Sequence, residues 1–329
     1  MFRYRLKGET KMIKKMIALL VLMVSIGVAK AYPDGPVTIV VPFPPGQTGD
    51  IIARTLAVEL GKKYGKPFVV DNRPGAGGQI GTTYAARAKN DGSVLLMTSS
   101  GPFSIAPALY QGALPYQPSR DFVGVVETAT TPQVLAVSND SGIKNVEELI
   151  KAAKAKEITY ASAGNGSTQH LSMELVKQQL GIPMLHIPFK GSSESKTQVM
   201  SGLIPVTSDS LPAILPQIKS GQLRAIAVLD TIRSPYLPNV PTLAEQGYPK
   251  FTTLAFFGLV APKGTPKAIV DSLNKSVIEI IKTSEIQEKY RDLALTTPID
   301  KNPEQFNHYL ASETAKWAKV AALAGAKGD

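Results

Sequence analysis

The sequence predicts an α/β protein with mainly parallel strands. Short apolar runs alternate with segments of helical periodicity along most of the chain, a pattern typical of strands that are each followed by a covering helix. Three glycine-rich loops lie where strands are expected to end and helices to begin. The chain of 329 residues is long enough for about two domains, since one domain usually takes roughly 100 to 200 residues.

The expected strands are short, apolar and rich in β-branched residues. They are residues 37–41, 68–71, 94–97, 134–137, 158–160, 184–187, 206–208, 225–228 and 256–260. The expected helices show a helical period of apolar residues, and several begin at Asn or Pro, residues favoured at helix starts. They are residues 50–64, 78–89, 146–155, 168–180, 192–201, 211–219, 266–283 and 303–323.

Residues 1–31 are interpreted as a secretory signal peptide. Three lysines precede an apolar run that ends in the A-x-A cleavage site Ala29-Lys30-Ala31. The apolar run is shorter than the roughly 20 residues that cross a bilayer, which disfavours a retained membrane anchor. We therefore expect cleavage after Ala31 and export to the periplasm, with translation from either Met1 or Met12.

Charge and cysteine content argue against several classes of protein. The formal net charge of the whole chain is +10. Residues 1–31 hold seven of the 36 Lys and Arg and one of the 26 Asp and Glu, so the rest of the chain has a net charge of +4. The remaining basic residues form no stripe, so we expect no nucleic-acid binding. Without cysteine there is neither a lipid-anchor site nor a disulfide. The three histidines lack metal-ligand spacing, and we expect no metal and no cofactor.

The three glycine-rich loops are residues 42–50, 72–81 and 161–170. The first and third follow a short apolar run and precede a helical segment, so free N–H groups and the positive end of a helix dipole meet there. Such a place suits an anion. Two of these loops facing each other would hold a small organic acid between two lobes.

Two extended, threonine-rich stretches are the expected crossings between the lobes. They are residues 127–132 and 251–255. If the chain leaves the first lobe at one and returns at the other, residues 132–254 form an inserted second lobe. The first lobe is then discontinuous and consists of residues 32–131 and 255–329.

A series of motifs runs along the chain in a fixed order and includes the three loops. They are YPDGPV at 32–37, PFPPG at 42–46, NRPGAGGQIG at 72–81, YASAGNG at 160–166, PFKG at 188–191, DSLP at 209–212, RSP at 233–235 and APKGTP at 261–266. In this order they resemble the periplasmic substrate-binding proteins of the tripartite tricarboxylate transporter, also called Bug receptors. The resemblance covers the chain from Tyr32 onward.

The resemblance implies a two-lobed periplasmic binding protein of the Venus flytrap type, with two mixed, mainly parallel sheets and a hinge of two crossing strands. It also implies a function: capture of a small organic carboxylate in the cleft and delivery to the membrane permease subunits of a tripartite transporter. Dicarboxylate, tricarboxylate, amino acid and aromatic acid ligands all remain open. An alternative is a ligand-dependent sensor that docks on a membrane signalling protein.

We expect a monomer without enzymatic activity. No G-x-S-x-G elbow surrounds a serine, so His170, Ser167 and Asp209 are not read as a hydrolase triad, and no activated nucleophile or metal-bound water is indicated. The glycines of the second loop do not have dinucleotide-binding spacing. Arg73 in that loop is interpreted as a brace that bonds carbonyls at the loop ends.

The residues expected to contact the ligand lie on the first and third loops and on nearby strand ends. They are Phe43, Pro45, Gly46, Gln47, Thr48, Asp50, Ser100, Gly164, Asn165, Gly166, Ser167, His170, Lys190, Gly191 and Asp209. Gln47 stands where the family usually has a second glycine, and Gly49 stands where it commonly has threonine. Ser208 and Ser210 flank Asp209 in place of the usual phenylalanine and asparagine.

Some of these residues also have a structural interpretation. Asp50 is read mainly as a helix cap, with ligand contact as the minor role. Asp209 either accepts from an amino or hydroxyl group of the ligand or caps the helix at 211–219. His170 is read as an orienting or capping group on its helix, and the glycines at 46, 164 and 166 are read equally as turn formers. Trp317 is read as core packing.

Overall fold

Two five-stranded sheets, each covered by helices, make up the protein. The computed structural model describes residues 32–110, 112–248 and 252–323, so the expected signal peptide lies outside the described residues. The two mixed sheets and their helices confirm the predicted α/β class and the two-lobed architecture.

The strands of the described residues, in chain order, alternate with helices over most of their length. They are β1 (Val37–Val41), β2 (Phe68–Asn72), β3 (Val94–Ser99), β4 (Phe122–Thr131), β5 (Gln133–Ser138), β6 (Thr159–Ser162), β7 (Leu185–Pro188), β8 (Val206–Ser210), β9 (Leu223–Val228) and β10 (Ala255–Pro262). The helices are α1 (Thr48–Tyr64), α2 (Gln79–Ala86), α3 (Ala106–Tyr110), α4 (Pro118–Asp121), α5 (Val146–Ala155), α6 (Thr168–Leu180), α7 (Ser192–Met200), α8 (Leu211–Lys219), α9 (Lys267–Ile281), α10 (Ser284–Asp292) and α11 (Pro303–Leu323).

Both sheets have the same arrangement. The first has the strand order β2-β1-β3-β10-β4, with β1, β2 and β3 parallel and β10 antiparallel to both of its neighbours. The second has the order β7-β6-β8-β5-β9, with β6, β7 and β8 parallel and β5 antiparallel to its neighbours. The loop from β1 to α1 therefore occupies the same place in the first sheet as the loop from β6 to α6 in the second.

The chain passes from one sheet to the other at Pro132, which alone separates β4 from β5. It returns between β9 and β10. Near this return, the Leu229 N–H donates to the Gln133 carbonyl at 2.9 Å. The expected assignment of residues to the two lobes remains a proposal that fits this path.

Strand β4 was not predicted beyond an extended crossing from residue 127. Its sequence mixes glycine, threonine and a glutamate, which hides the apolar pattern of a strand. Gly124 in β4 and Gly258 in β10 make room for the ring of Phe306 on α11, because a Cβ at either position would lie 2.9 Å or less from that ring. Helix α10 and the helical turns at 101–110 were also missed.

Buried apolar side chains fill the space between the sheets and their helices. One cluster joins the two sheets' helices: Trp317 of α11 is fully buried and packs with Ile105, Leu109 and Leu171, the last of which belongs to α6. The prediction that Trp317 is a core residue is confirmed. Among the described residues, no helix is both long and apolar enough to cross a membrane.

Candidate functional site

A cavity lies between the two sheets, where helices from both begin. Its walls are polar on several sides and are built from loop residues and strand ends. They are Phe43, Gln47, Thr48, Gly49, Ser99, Gln133, Ala163, Ser167, Thr168, Gln169, Asp209, Ser210, Ala255 and Phe257. The cavity volume of about 50 Å³ is several times the roughly 10 to 15 Å³ that one water needs on the same measure.

Three helices begin at this cavity. Gln47 precedes the first residue of α1, Ser167 precedes α6 and Ser210 precedes α8. The Ser167 hydroxyl accepts the His170 N–H at 3.2 Å, which leaves the N–H groups of Thr168 and Gln169 at the cavity wall. The first N–H groups of a helix have no partner within that helix, and they carry the positive end of its dipole. At α8 the Leu211 N–H donates to the Pro132 carbonyl and Pro212 has no N–H, so the donors for a ligand come from α1 and α6. The cavity is therefore suited to an anion.

The two lobes touch directly around the cavity. The hydroxyls of Thr48 and Ser210 are 2.8 Å apart across the cleft. At Gly77, which follows β2 of the first sheet, an added Cβ would lie 1.9 Å from the carbonyl oxygen of Asn165, which follows β6 of the second sheet. At Gly191, which follows β7 of the second sheet, an added Cβ would lie 2.5 Å from the Gln47 amide nitrogen and from Pro44. Glycine at these positions permits the close approach of the lobes.

Asp50 organises the first loop from outside the cavity. Its carboxylate accepts hydrogen bonds from the Gly46 N–H at 2.9 Å, from Asn72 Nδ2 at 2.9 Å and from Arg54 Nε at 3.1 Å. Burial by itself would raise the pKa of Asp50, but the hydrogen bonds from Arg54, Gly46 and Asn72 outweigh it and hold the pKa below its ordinary value. Asp50 lies at the third residue of α1 and ties the loop back onto the helix.

Asp209 lines the cavity and belongs to β8, although the strand was expected to end at residue 208. Its carboxylate accepts from Gln169 Nε2 at 2.5 Å, from the Ser210 N–H at 2.8 Å and from the Ser192 hydroxyl. Because these protein donors already engage both carboxylate oxygens, Asp209 acts chiefly as the anchor of Gln169 and Ser192. Helix α8 is preceded by Ser210, so Asp209 does not occupy its capping position.

Gln169 connects Asp209 to the third loop. Its Oε1 accepts the Ala163 N–H at 2.5 Å while its Nε2 donates to Asp209. Both ends of the amide are thus used, and the loop before α6 is fixed against β8. The sequence does carry a signal for Gln169, because this residue is the second of a helix that follows a glycine-rich loop.

His170 supports the third loop from behind. Its Nδ1 accepts the Gly166 N–H at 3.3 Å, which agrees with the orienting role expected for it. Its ring stacks on His186 at 4.2 Å between centroids, and His186 stacks on Tyr160 at 4.9 Å. Burial lowers the pKa of His186 to about 3, so that ring is neutral near pH 7.

The structure brings only part of the expected ligand set to the cavity. Phe43, Gln47, Thr48, Ser167 and Asp209 line it. The other expected residues lie outside its lining: Pro45, Gly46, Asp50, Ser100, Gly164, Asn165, Gly166, His170, Lys190 and Gly191. Ser100, for example, is fully buried, and its hydroxyl accepts the Phe256 N–H at 3.0 Å.

Other lining residues were missed. They are Gly49, Ser99, Gln133, Ala163, Thr168, Gln169, Ser210, Ala255 and Phe257. Gly49, Ala163, Thr168 and Gln169 lie on the predicted first and third loops but were not singled out, and the rest meet the cavity only through the sheet topology. Arg73 also differs from expectation: it pairs with Asp71 at 2.6 Å and its guanidinium lies 3.5 Å above the Tyr84 ring centroid, so it braces side chains rather than loop carbonyls. Within the described residues, no cluster of His, Asp and Glu is placed to hold a metal ion.

Comparison with known proteins identifies the family of this two-lobed protein. The family model described as "Tripartite tricarboxylate transporter family receptor" matches residues 52–325. The chain belongs to this family. Its members are periplasmic substrate-binding receptors, which confirms the resemblance read from the motifs.

Three solved structures are similar to this chain over most of its length. Rpa4515 of R. palustris, solved with adipate, has a TM-score of 0.86 at 34% identity, covering 89% of this chain and 98% of that one. The periplasmic binding protein BugD has a TM-score of 0.85 at 34% identity, with coverages of 91% and 100%. MatC of Rhodopseudomonas palustris, solved with bound malate, has a TM-score of 0.84 at 30% identity, with coverages of 88% and 99%.

Proposed function

We propose that this receptor captures a small organic carboxylate between its two lobes and delivers it to the membrane permease of a tripartite tricarboxylate-type transporter. The observation that carries the proposal is the convergence on one cavity of the helix starts at Thr48 and Thr168, which come from opposite sheets. Their N–H groups and dipoles favour an anion without any cationic side chain. The adipate and malate in the structures of Rpa4515 and MatC are carboxylates, which supports the same ligand class.

Closure of the lobes follows from the position of the cavity. Thr48 and Gln47 belong to the first lobe, while Ser167 and Ser210 belong to the second, so a ligand that contacts both sets stabilises the closed arrangement. A ligand shifts such an equilibrium only by its difference in affinity for the open and closed forms. The carboxylate therefore acts as the cross-link between the lobes, and the closed form is the one presented to the permease.

Ligand capture is tested by thermal unfolding of residues 32–329 in the presence of organic acids, amino acids and nucleotides. Co-purified ligand is first removed by unfolding and refolding. A ligand at 100 times its dissociation constant adds about 2.7 kcal/mol of stability, which raises the melting temperature by several degrees. Stabilisation by carboxylates alone is expected. The absence of any shift with acids would contradict the proposal.

Delivery is tested separately in cells that lack the membrane permease subunits. Uptake of the labelled acid should fall to the level of cells that lack the receptor. If uptake persists and the acid's induction of gene expression depends on the receptor instead, the sensor alternative replaces the transport role.

A further inference from the structure

Two glutamines in the cavity wall each carry a buried amide atom without a partner. Neither Gln47 Nε2 nor Gln133 Oε1 forms a hydrogen bond with any of the described residues. Gln133 is 1% exposed. Buried polar atoms in proteins nearly always have a hydrogen-bond partner, so two atoms without one in the wall of the same cavity need an explanation.

The two glutamines flank the contact that joins the lobes. Gln47 directly precedes Thr48, and its Nε2 lies against Gly191 of the opposite lobe. Gln133 is paired with Ser210 in the ladder of β5 and β8. Since the hydroxyls of Thr48 and Ser210 are 2.8 Å apart, each glutamine neighbours one end of this contact. Gln47 does not use its side chain to cap α1, so its amide is available for another role.

Charge on side chains does not select the ligand in this cavity. No Lys, Arg or His is among its lining residues, and its single ionisable residue, Asp209, already accepts hydrogen bonds from Gln169, Ser210 and Ser192. The helix starts can hold a carboxylate through backbone N–H groups. The neutral amides of Gln47 and Gln133, each with one buried and unpartnered atom, are then available in the wall to distinguish one acid from another.

We propose that Gln47 and Gln133 are specificity-determining residues that recognise a hydroxyl substituent, so that the preferred ligand is a short hydroxycarboxylic acid. This inference rests on the proposed function. An amide Nε2 donates and an amide Oε1 accepts, and a hydroxyl group can satisfy either because it both donates and accepts. A ketone offers no donor to Gln133.

An ammonium group is a poorer match than a hydroxyl. It would donate to Gln133 Oε1, but it would also bring a positive charge into a site whose only carboxylate is already engaged. A buried charge without a charged partner is costly. The site therefore favours hydroxy acids over the corresponding amino acids.

The test is calorimetric titration of the ligand-free protein with matched pairs of acids that differ by one hydroxyl. The probes are lactate and propionate, malate and succinate, 3-hydroxybutyrate and butyrate, and 2-hydroxyglutarate and glutarate, with aspartate as the amino analogue of malate. In at least one pair, the hydroxy acid should bind about tenfold or more tightly than its partner, as expected when a site is left with an unpaired polar group.

The variants Gln133→Met and Gln47→Met remove the amide and keep the length of the side chain. In each variant, the ratio of the affinity for the hydroxy acid to the affinity for its partner acid should fall toward one. The main cause should be weaker binding of the hydroxy acid. Gln217→Met is the matched control, because Gln217 also has a buried, unpartnered Oε1 but does not line the cavity. Its preference should equal that of the wild type.

Several outcomes would overturn the inference. One is an affinity ratio near one, for the wild-type protein, in every pair of acids that binds. Another is tighter binding of aspartate than of malate. An unchanged preference in Gln133→Met and Gln47→Met would also overturn it. If a variant does not fold, as judged by its melting curve, the wild-type ratios decide alone. Failure of the proposed function looks different, because no carboxylate of any kind would then bind.

Discussion

The hydroxyl oxygens of Thr48 and Ser210 lie 2.8 Å apart and join the two lobes directly across the cleft. Thr48 is the first residue of α1, and Ser210 directly precedes α8, so the contact links two helix starts that both face the cavity. Both side chains are buried. The same two residues can therefore contribute to closure of the lobes and to the wall of the binding site.

Replacing Thr48 by valine should weaken ligand binding without unfolding the protein. The variant keeps the shape of the side chain and removes the hydrogen bond, which is worth roughly 0.5 to 1.5 kcal/mol, so affinity should fall about two- to tenfold. Thr55→Val is the matched control, because Thr55 is buried on the same helix and its hydroxyl donates to the Ile51 carbonyl within that helix. Titration calorimetry would refute the role of Thr48 if both variants bound equally well.

Replacing Gly77 by alanine should abolish binding by blocking closure. The new Cβ would lie 1.9 Å from the carbonyl oxygen of Asn165 in the other lobe. Gly181→Ala is a matched control, since both glycines have φ of 60° and nothing lies within 4 Å of a Cβ at position 181. Both variants carry the same backbone strain, so their melting temperatures should fall alike. Wild-type affinity in Gly77→Ala would show that ligand binding does not require the approach of these two loops.

Replacing Asp209 by asparagine should destabilise the closed cleft. The change substitutes an amide donor for an oxygen that now accepts from Gln169 or Ser192, and an unsatisfied buried donor costs roughly 1 to 3 kcal/mol. Denaturant unfolding measures the loss. Asp292→Asn, at an exposed position, should stay within about 0.5 kcal/mol of the wild type. Equal stability of the two variants would contradict the anchoring role of Asp209.

Asp50 should make the free energy of unfolding depend on pH in the acid range. Its pKa is lower in the folded protein than its ordinary value of 3.8, so the unfolded chain binds its proton more readily. The stabilisation is therefore fully present above that value and is lost as the pH falls through the lower folded-state pKa. Denaturant unfolding of the wild type and Asp50→Asn should differ more at pH 6 than at pH 3. A difference that is constant with pH would contradict this account.

The sequence predicts the bounds of those strands and helices whose apolar residues follow one regular period. Strand β1 and helices α5, α6 and α11 have the predicted bounds, because each has an apolar face that matches one period and a clear start signal. Strand β4 was missed because Gly124 and its polar neighbours serve packing against Phe306 from a distant helix. A long-range contact of this kind leaves no local signal.

The candidate site was predictable only where it is local. The helix-start loops at Gln47 and Ser167 were identified because backbone N–H groups follow from the strand-to-helix pattern. Gln133 and Phe257 reach the cavity because β5 and β10 are inserted antiparallel into their sheets, and the sequence does not specify that pairing. Asp209 was expected either to accept from the ligand or to cap the helix at 211–219; Ser210 holds the capping position, and Gln169 and Ser192 donate to the Asp209 carboxylate.

The central claim, that helix starts in the cleft hold a carboxylate, is tested most directly by titration calorimetry of the ligand-free protein with acids and their neutral amides. Each tightly bound acid from the panel is compared with the primary amide of the same carbon skeleton. We expect saturable binding of the acid and at least about tenfold weaker binding of the amide, because only the carboxylate gains from the N–H groups and dipoles. Equal affinity for acid and amide, or no saturable heat with any acid, would contradict the claim.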